Sequence, residues 1–323
     1  MENFAELTEK IFRQTYGFPS ENLTGEELDK VRAAVIELRN SYASNVCKPL
    51  YQREEIRKAY MFSYYPYYVQ PVYEIISNVL RTEWGECMLE YWGERAIGFD
   101  SEDLGAVCPI ELTYIAGGPC PELYGTVKAL KDIGLDNDIY AQIYDIEEGW
   151  RDLQNITLDL CKDCYGKNIS LTFSSEYNAL DSSKQELEHG YGILFIQNYL
   201  SHVVDTEKFM RSFESLLNSN RFGEVIILDL NYNATRNIFE RICDKDFLSK
   251  HRLYTILKHT PDDGDPIQAI HEQPSRGIQK IFNSELDIIT YPKKYTKYYY
   301  LAFGKLYKPT FGFRVDSRRE ELK

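Results

Sequence analysis

The residues most suited to chemistry stand in a glycine-rich turn between an apolar run and a helix-like segment. Ile110–Ala116 is apolar enough for a buried strand, Gly117–Pro119 follows it, and Glu122–Ile133 has helical spacing. Glycine lets the backbone approach a ligand closely, and the first turn of a helix offers unpaired N–H groups to a polar or anionic group. Pro121 suits that first turn, where its missing N–H costs nothing. The pattern predicts a ligand-binding loop.

An acidic residue stands at the end of the next apolar run. Ile139–Tyr144 is followed by Asp145 and Ile146. In nucleotide-binding α/β proteins, an acid at the tip of the second strand accepts hydrogen bonds from ribose hydroxyls. We therefore expect Asp145 to bind a ribose, with Ile146 beside it. The alternative is that Asp145 caps the helix that holds Trp150.

A third apolar run, Gly192–Ile196, ends in the amide and aromatic residues Gln197, Asn198 and Tyr199. Ligands of open α/β sheets lie just beyond the carboxyl ends of the strands. These side chains are therefore predicted to border the ligand, although they could instead cap the following helix. His202 is the best histidine candidate for a proton acceptor, and a position on a helix surface is its alternative.

Six tyrosines and one phenylalanine stand within the 14 residues of Tyr60–Tyr73. Aromatic rings can stack on a flat substrate or surround a cation. They can equally pack helices on a sheet while their hydroxyls reach water. Tyr64 and Tyr65 are the candidates for a pocket and for catalysis, because they precede a helix that Pro66 and Pro71 are predicted to interrupt.

The order of the segments predicts an α/β protein with a helical N-terminal extension. We expect helices over residues 1–105, a single α/β unit over 106–314 and a charged tail over 315–323. Apolar strands separated by helices indicate a parallel sheet that is covered on both faces. The predicted strands are Ile110–Ala116, Ile139–Tyr144, Ile169–Phe173, Gly192–Ile196 and Glu224–Leu230.

The last predicted strands have a different connection. Leu286–Tyr291 and Tyr298–Leu306 flank Pro292–Lys297 without room for a helix. They predict an antiparallel hairpin that closes one edge of the sheet. The fold class is therefore a Rossmann-like, mostly parallel sheet of seven strands with an antiparallel C-terminal hairpin.

Three segments resemble motifs I, II and IV of class I S-adenosylmethionine (SAM)-dependent methyltransferases. They are IAGGPCPELYGTVKAL, IYAQIYDIEEGW and ILFIQNYLSH, within residues 106–310. GGP-x-x-E/D-L-x-G followed by Y-x-x-D-x-E-x-x-W is similar to a narrower group, related to the fungal 25S rRNA uridine-N3 methyltransferases. The chain departs from the family at Tyr114, where many members have an acid, and at Cys120 and Pro121, which replace the third glycine.

The resemblance implies that SAM is the cofactor and that a methyl group is transferred to an acceptor. Phe173 or Tyr177 is a candidate for stacking on adenine, and Trp150 for covering the cofactor. In similar proteins, a tyrosine-rich segment before motif I covers the cofactor cleft. The predicted cofactor contacts are Gly117, Gly118, Pro119, Asp145, Ile146, Gln197, Asn198 and Tyr199.

The charge of the chain bears on the acceptor. Its 323 residues include 37 Lys+Arg and 50 Asp+Glu, which gives a net charge of −13. Binding to nucleic-acid phosphates needs clustered Lys and Arg, so a small-molecule acceptor is slightly favoured over RNA. The local basic run that includes Lys293, Lys294 and Lys297 leaves RNA as the alternative.

Other features narrow the class of protein. The first residues, MENFAELTEK, lack the apolar stretch of a signal peptide, and no apolar run reaches the ~18 residues of a membrane span. We therefore expect no membrane partner and a cytoplasmic location, where the seven cysteines stay reduced.

Cys161 and Cys164 form a lone CxxC, so no metal site is predicted. A non-catalytic SAM-binding or scaffold protein is the alternative function, and the lack of GxGxxG disfavours an NAD-dependent oxidoreductase.

Overall fold

The computed structural model describes residues 3–43, 50–94, 109–166, 168–175, 192–218, 222–230, 233–282 and 292–305. The helices are α1 Phe4–Tyr16, α2 Gly25–Ala43, α3 Glu54–Ser63, α4 Tyr65–Val79, α5 Glu83–Glu94, α6 Pro121–Asp132, α7 Arg151–Tyr165, α8 Thr206–Asn218, α9 Asn233–Ile242, α10 Lys245–His251 and α11 Arg276–Phe282. The strands are β1 Ile110–Ile115, β2 Ile139–Tyr144, β3 Ile169–Ser174, β4 Gly192–Gln197, β5 Phe222–Asp229, β6 Leu253–His259, β7 Ile267–Ile270 and β8 Tyr295–Lys305.

These strands form one sheet in the order β3-β2-β1-β4-β5-β8-β6, and β7 pairs with the first residues of β8. β1 to β5 are mutually parallel, whereas β8 is antiparallel to both β5 and β6. The predicted fold class is confirmed. It is a mostly parallel, Rossmann-like sheet with antiparallel pairing at its C-terminal end and helices before it.

The predicted ends of the sheet need a correction. β8 is antiparallel as expected, but it lies between β5 and β6 and does not close an edge. Its partners β6 and β7 were not predicted, and the expected strand Leu286–Tyr291 lies outside the described residues. β6 could not be predicted from its apolar residues, because it is half-exposed and contains Lys258 and His259, which shorten its apolar run.

Alternate residues of the central strands pack into two hydrophobic cores, one on each face of the sheet. In β4, Ile193 and Phe195 join a core that also contains residues of α1, α4, α6 and α7. Leu194 and Ile196 join a core with residues of α8 and α9. Coverage on both faces explains why the strands are almost continuously apolar in sequence.

The helix α4 lies directly on α6, and a glycine makes this contact close. A Cβ at Gly125 would lie 2.7 Å from the carbonyl oxygen of Val69. Val69 and Val72 share one core with Leu123 of α6 and Leu112 of β1. The N-terminal helices therefore cover one face of the sheet and reach the ends of its strands.

The predicted interruption of the second helical stretch is only partly right. The chain breaks at Tyr64, between α3 and α4, but Pro71 lies inside α4. A proline within a helix leaves the carbonyl four residues earlier without its usual donor. Here that carbonyl belongs to Tyr67, and the hydroxyl of Thr296 in β8 donates to it over 3.3 Å. Packing on the sheet thus compensates for the missing N–H.

Candidate functional site

The glycine-rich turn between β1 and α6 has an unusual backbone. Ala116, Gly118 and Cys120 all have positive φ, at 53°, 51° and 61°. Such values cost little only for glycine, so two residues with side chains are held in a left-handed conformation. Strained backbone that persists is over-determined by its surroundings, and the surrounding hydrogen bonds show how.

Asp145 ties the end of β2 to this turn. Its Oδ2 accepts a hydrogen bond from the backbone N–H of Gly118 over 2.8 Å, and its Oδ1 accepts one from Glu147 over 2.9 Å. Burial raises the pKa of the carboxyl group, while these two N–H groups act in the opposite direction. The short helical turn Glu148–Trp150 is capped by Glu147, whose side chain accepts a hydrogen bond from the backbone N–H of Gly149. Asp145 thus links two loops at the ends of β1 and β2.

Two buried residues of α7 hold the turn from the other side, and sequence reasoning missed both. Gln154 Nε2 donates to the carbonyl of Gly118, and Thr157 Oγ1 donates to the carbonyl of Pro119, each over 2.6 Å. With Trp150 they stand at positions i, i+4 and i+7 of one helical face. Polar residues on the inner face of an amphipathic helix were the available signal.

The ends of β4 and β5 form the next part of the site. Gln197 is buried, its Nε2 donates to the carbonyl of Tyr68 over 3.3 Å, and its Oε1 has no partner in the described part of the chain. Asn198 has φ of 52°. Asp229, which was not predicted, accepts from the backbone N–H groups of Leu200 and Leu230 over 2.6 and 2.7 Å. Its burial raises its pKa to about 6.

Other predicted residues lie further out. Tyr199 is half-buried, and its ring centroid lies 6.0 Å from that of Phe209 in α8. Ile146 is 53% exposed. His202 is exposed, with its ring 6.4 Å from that of Tyr42. The ring of Phe173 lies 5.3 Å from the guanidinium of Arg151, and Tyr177 lies outside the described residues.

Aromatic side chains of the N-terminal helices lie against these strand ends. We call Tyr51, Tyr60, Tyr64, Tyr68 and Trp150 the aromatic cluster. Ring centroids of successive members lie 5.0 to 6.0 Å apart along the series from Tyr51 through Trp150, Tyr60 and Tyr64 to Tyr68. Trp150 also contacts the turn, since a Cβ on Gly118 would lie 3.6 Å from its indole. The cluster therefore runs from the glycine-rich turn to the first turn of α4.

The two candidate tyrosines have different surroundings. Tyr64 belongs to the aromatic cluster, whereas Tyr65 is fully buried in the core that α4 shares with α6 and α7. Neighbouring helical residues point about 100° apart, so only one of such a pair can face a given surface. We find Tyr64 at the site and Tyr65 in the packing between helices.

A lysine lies among the rings of the aromatic cluster. The Nζ of Lys293 lies 4.1 Å from the ring centroid of Tyr64 and 4.7 Å from that of Tyr68, and it donates to the Tyr68 hydroxyl over 3.3 Å. Loss of hydration, aided by the charge of Arg39, lowers the pKa of Lys293 to about 7. Within the described ranges, no carboxylate forms an ion pair with it. This places a lysine amine, without an anionic partner among the described residues, at the carboxyl edge of the sheet.

In the portions of the chain that the structure describes, no three His, Cys, Asp or Glu side chains could hold a metal ion. Cys161 and Cys164 lie near the end of α7 and are not joined in a disulfide. None of the described helices is long and apolar enough to cross a membrane.

Comparisons with known proteins return structures only, since no family model and no curated protein matches the chain. A putative class I SAM-dependent methyltransferase from Listeria monocytogenes is 13% identical with a TM-score of 0.40, over 95% of this chain and 90% of that one. The DszA carbon methyltransferase is 9% identical with a TM-score of 0.40, over 84% and 66%.

A putative SAM-dependent methyltransferase from Methanococcus maripaludis is 11% identical with a TM-score of 0.29, over 74% of this chain and 90% of that one. The chain is thus similar to solved methyltransferase structures at low identity. At these identities and TM-scores, the chemistry of the site follows only from the residues of this chain.

Proposed function

We propose that the chain is a SAM-dependent methyltransferase that works in the cytoplasm. The observation that carries this proposal is the hydrogen bond from Gly118 to Asp145, which joins a glycine turn after β1 to an acid after β2. In open α/β sheets, this edge binds the phosphate or ribose of a nucleotide. The antiparallel β8 inserted between β5 and β6 adds the strand arrangement of class I methyltransferases.

The residues at this edge fit such a cofactor. A nucleoside needs hydrogen-bond acceptors for its ribose. The backbone N–H groups of Gly118, Glu147 and Ile146 still leave Asp145 at least one of its roughly four lone-pair positions. The buried Oε1 of Gln197, which lacks a described partner, is a further acceptor. The cofactor would supply a methyl group on a sulfonium, and aromatic rings attract such a cation. The residues that would hold it are Gly117, Gly118, Pro119, Asp145, Ile146, Gln197, Asn198 and Tyr199.

For the acceptor, a small molecule with a flat, anionic part is the first choice. The aromatic cluster offers ring faces for stacking, and Lys293 offers a cation to an anionic group. Alignment of acceptor and methyl group is the main requirement of methyl transfer, and these side chains would supply it. RNA is the alternative acceptor, supported by the narrower resemblance and opposed by the net charge of −13. Tyr64 and His202 are the candidates for proton transfer.

The cofactor is tested by calorimetric titration with SAM and with S-adenosylhomocysteine (SAH). We expect Asp145→Asn to weaken binding by about 1.5–3 kcal/mol, the value of hydrogen bonds to a charged group, or roughly 10- to 150-fold. Asp152→Asn, which neutralises an exposed acid of α7, should bind like wild type. Thermal unfolding of both variants controls for damage to the turn. Absence of binding by folded wild type would refute the proposal.

The acceptor class is tested with SAM that carries a labelled methyl group. Wild type is incubated with a small-molecule fraction and with an RNA fraction of cell extract. Label in the first fraction, lost with Lys293→Met, supports the small-molecule acceptor. Label that nuclease treatment releases from the second fraction would establish RNA instead.

A SAM-binding protein without catalysis is the second candidate. It is favoured by contacts that already cover the glycine-rich turn. Trp150 packs against Gly118, and side chains of α7 donate hydrogen bonds to the carbonyls of Gly118 and Pro119. Binding of SAM without transfer to either fraction would favour this second function.

A further inference from the structure

We propose that the carboxyl group of Glu122 binds the ammonium group of the amino-acid part of SAM. This inference rests on the proposed function and adds a contact to the same site. Glu122 belongs to the first turn of α6, directly after the glycine-rich turn. No acid is available at Tyr114, the position where many family members have one, so Glu122 would supply the negative charge from the other end of the turn.

Glu122 is a buried acid with an unsatisfied oxygen. Only 4% of the residue is exposed, and its Oε2 has no hydrogen-bond partner among the described residues. No described lysine or arginine pairs with it. Buried polar atoms are almost always satisfied, and an unpaired buried carboxylate is costly. The unpaired carboxyl oxygen of Glu122 beside the glycine-rich turn therefore indicates that a ligand supplies a cationic or hydrogen-bond donor group there.

The neighbours of Glu122 place its carboxyl group at the site. Its charge acts on the phenols of Tyr60 in the aromatic cluster and Tyr114 at the end of β1. The thiol of Cys120 donates to it, and Asp145 lies close enough to repel it. Burial is the main cause that raises the pKa of Glu122 to about 8. The group is therefore protonated at neutral pH when nothing cationic lies beside it.

The chemistry favours an ammonium group over a neutral hydroxyl. Glu122 and Asp145 are buried acids whose negative charges repel each other, and no described lysine or arginine forms an ion pair with Glu122, so a positive charge would relieve both desolvation and repulsion. The N-terminus of α6 attracts the opposite charge, a carboxylate. An amino-acid zwitterion matches this pair, because its carboxylate suits the helix N-terminus and its ammonium suits Glu122.

Binding should therefore release a proton, and this is what the experiment measures. SAH is titrated calorimetrically at pH 7 in two buffers of different ionisation enthalpy. 5′-Deoxy-5′-methylthioadenosine, the same nucleoside thioether without the amino-acid part, is the control ligand. We expect wild type to release close to one proton with SAH and none with the control ligand. Glu122→Gln should abolish the release and weaken SAH at least tenfold, with unchanged affinity for the control ligand.

The outcomes separate this inference from the proposed function. SAH binding to Glu122→Gln with wild-type affinity, or with the same proton release, would overturn the role of Glu122 and leave the proposed function standing. Failure of wild type to bind SAM and SAH would overturn both. If Glu122→Gln does not fold, wild type still decides, because equal proton release with both ligands would refute the inference. Asp152→Asn should behave as wild type with both ligands.

Discussion

The hydroxyl of Thr157 offers a direct test of how α7 holds the glycine-rich turn. Thr157 is fully buried, and its Oγ1 donates to the carbonyl of Pro119 over 2.6 Å. Thr157→Val keeps the shape of the side chain and its branching at Cβ, so it opens no cavity. It removes one donor and leaves the Pro119 carbonyl without that partner.

The cost of this change follows from the orphaned carbonyl. A buried acceptor that loses its partner costs about 1–3 kcal/mol, because its desolvation is no longer compensated. Thr8→Val in α1 is a matched control. Thr8 is also fully buried, and its hydroxyl donates to the carbonyl of Ala5 over 2.9 Å. That carbonyl keeps its helical backbone bond, so no buried acceptor is left without a partner and we expect a loss below about 1 kcal/mol.

The assay is equilibrium unfolding in urea for wild type and both variants, followed by titration of the variants with SAH. Thr157→Val should lose about 1–3 kcal/mol and should bind SAH more weakly, because the turn is no longer held at Pro119. Thr8→Val should lose less than about 1 kcal/mol and should bind SAH like wild type. An equal loss in both variants, or none in either, would show that α7 does not hold the turn through this bond.

Three further predictions concern single residues. Burial raises the pKa of Glu224 to about 8, so this carboxyl group ionises at lower pH in the unfolded chain than in the folded one. Between pH 5 and 8, urea unfolding should therefore show wild type losing stability relative to Glu224→Gln, by at most about 1.4 kcal/mol per pH unit. Glu27→Gln, at an exposed position, is the control. The pKa of Lys293 is lowered to about 7, which gives the opposite sign. In the same urea unfolding assay, the stability of wild type should rise relative to that of Lys293→Met between pH 7 and 10. Gly118→Ala places a side chain at φ of 51° and should cost about 1–2 kcal/mol in thermal unfolding, whereas Gly93→Ala, in an exposed helical position, should not destabilise the protein.

The fold was predictable where the signal is local. β2 has the predicted bounds, and α6 begins at Pro121, because an apolar run and a helix-start proline need no distant partner. Pro71 shows the limit, since its helix continues only because Thr296, far away in sequence, satisfies the carbonyl of Tyr67. β6 was missed for the same reason, because pairing with β8, and no strong local pattern, makes it a strand.

The sequence predicted that three strand ends lie along one edge of the sheet, and it did not reveal all the side chains that hold the loops there. Strand ends at Gly117–Pro119, Asp145 and Gln197 do meet at one edge, as parallel strands require. The roles of these residues in binding stay predictions. Gln154 and Thr157 were missed because a polar residue on a helix normally faces water, and their carbonyl partners come from another loop.

The insertion of β8 between β5 and β6 has a consequence for biosynthesis. Residues 222–229 leave the ribosome long before residues 295–305, so one side of β5 lacks its neighbour during that interval. An open edge of apolar strand is a template for aggregation, and long-range pairing of this kind is slow. We expect the nascent chain to need protection at β5 until β8 emerges, and shortened forms that end before residue 295 to precipitate.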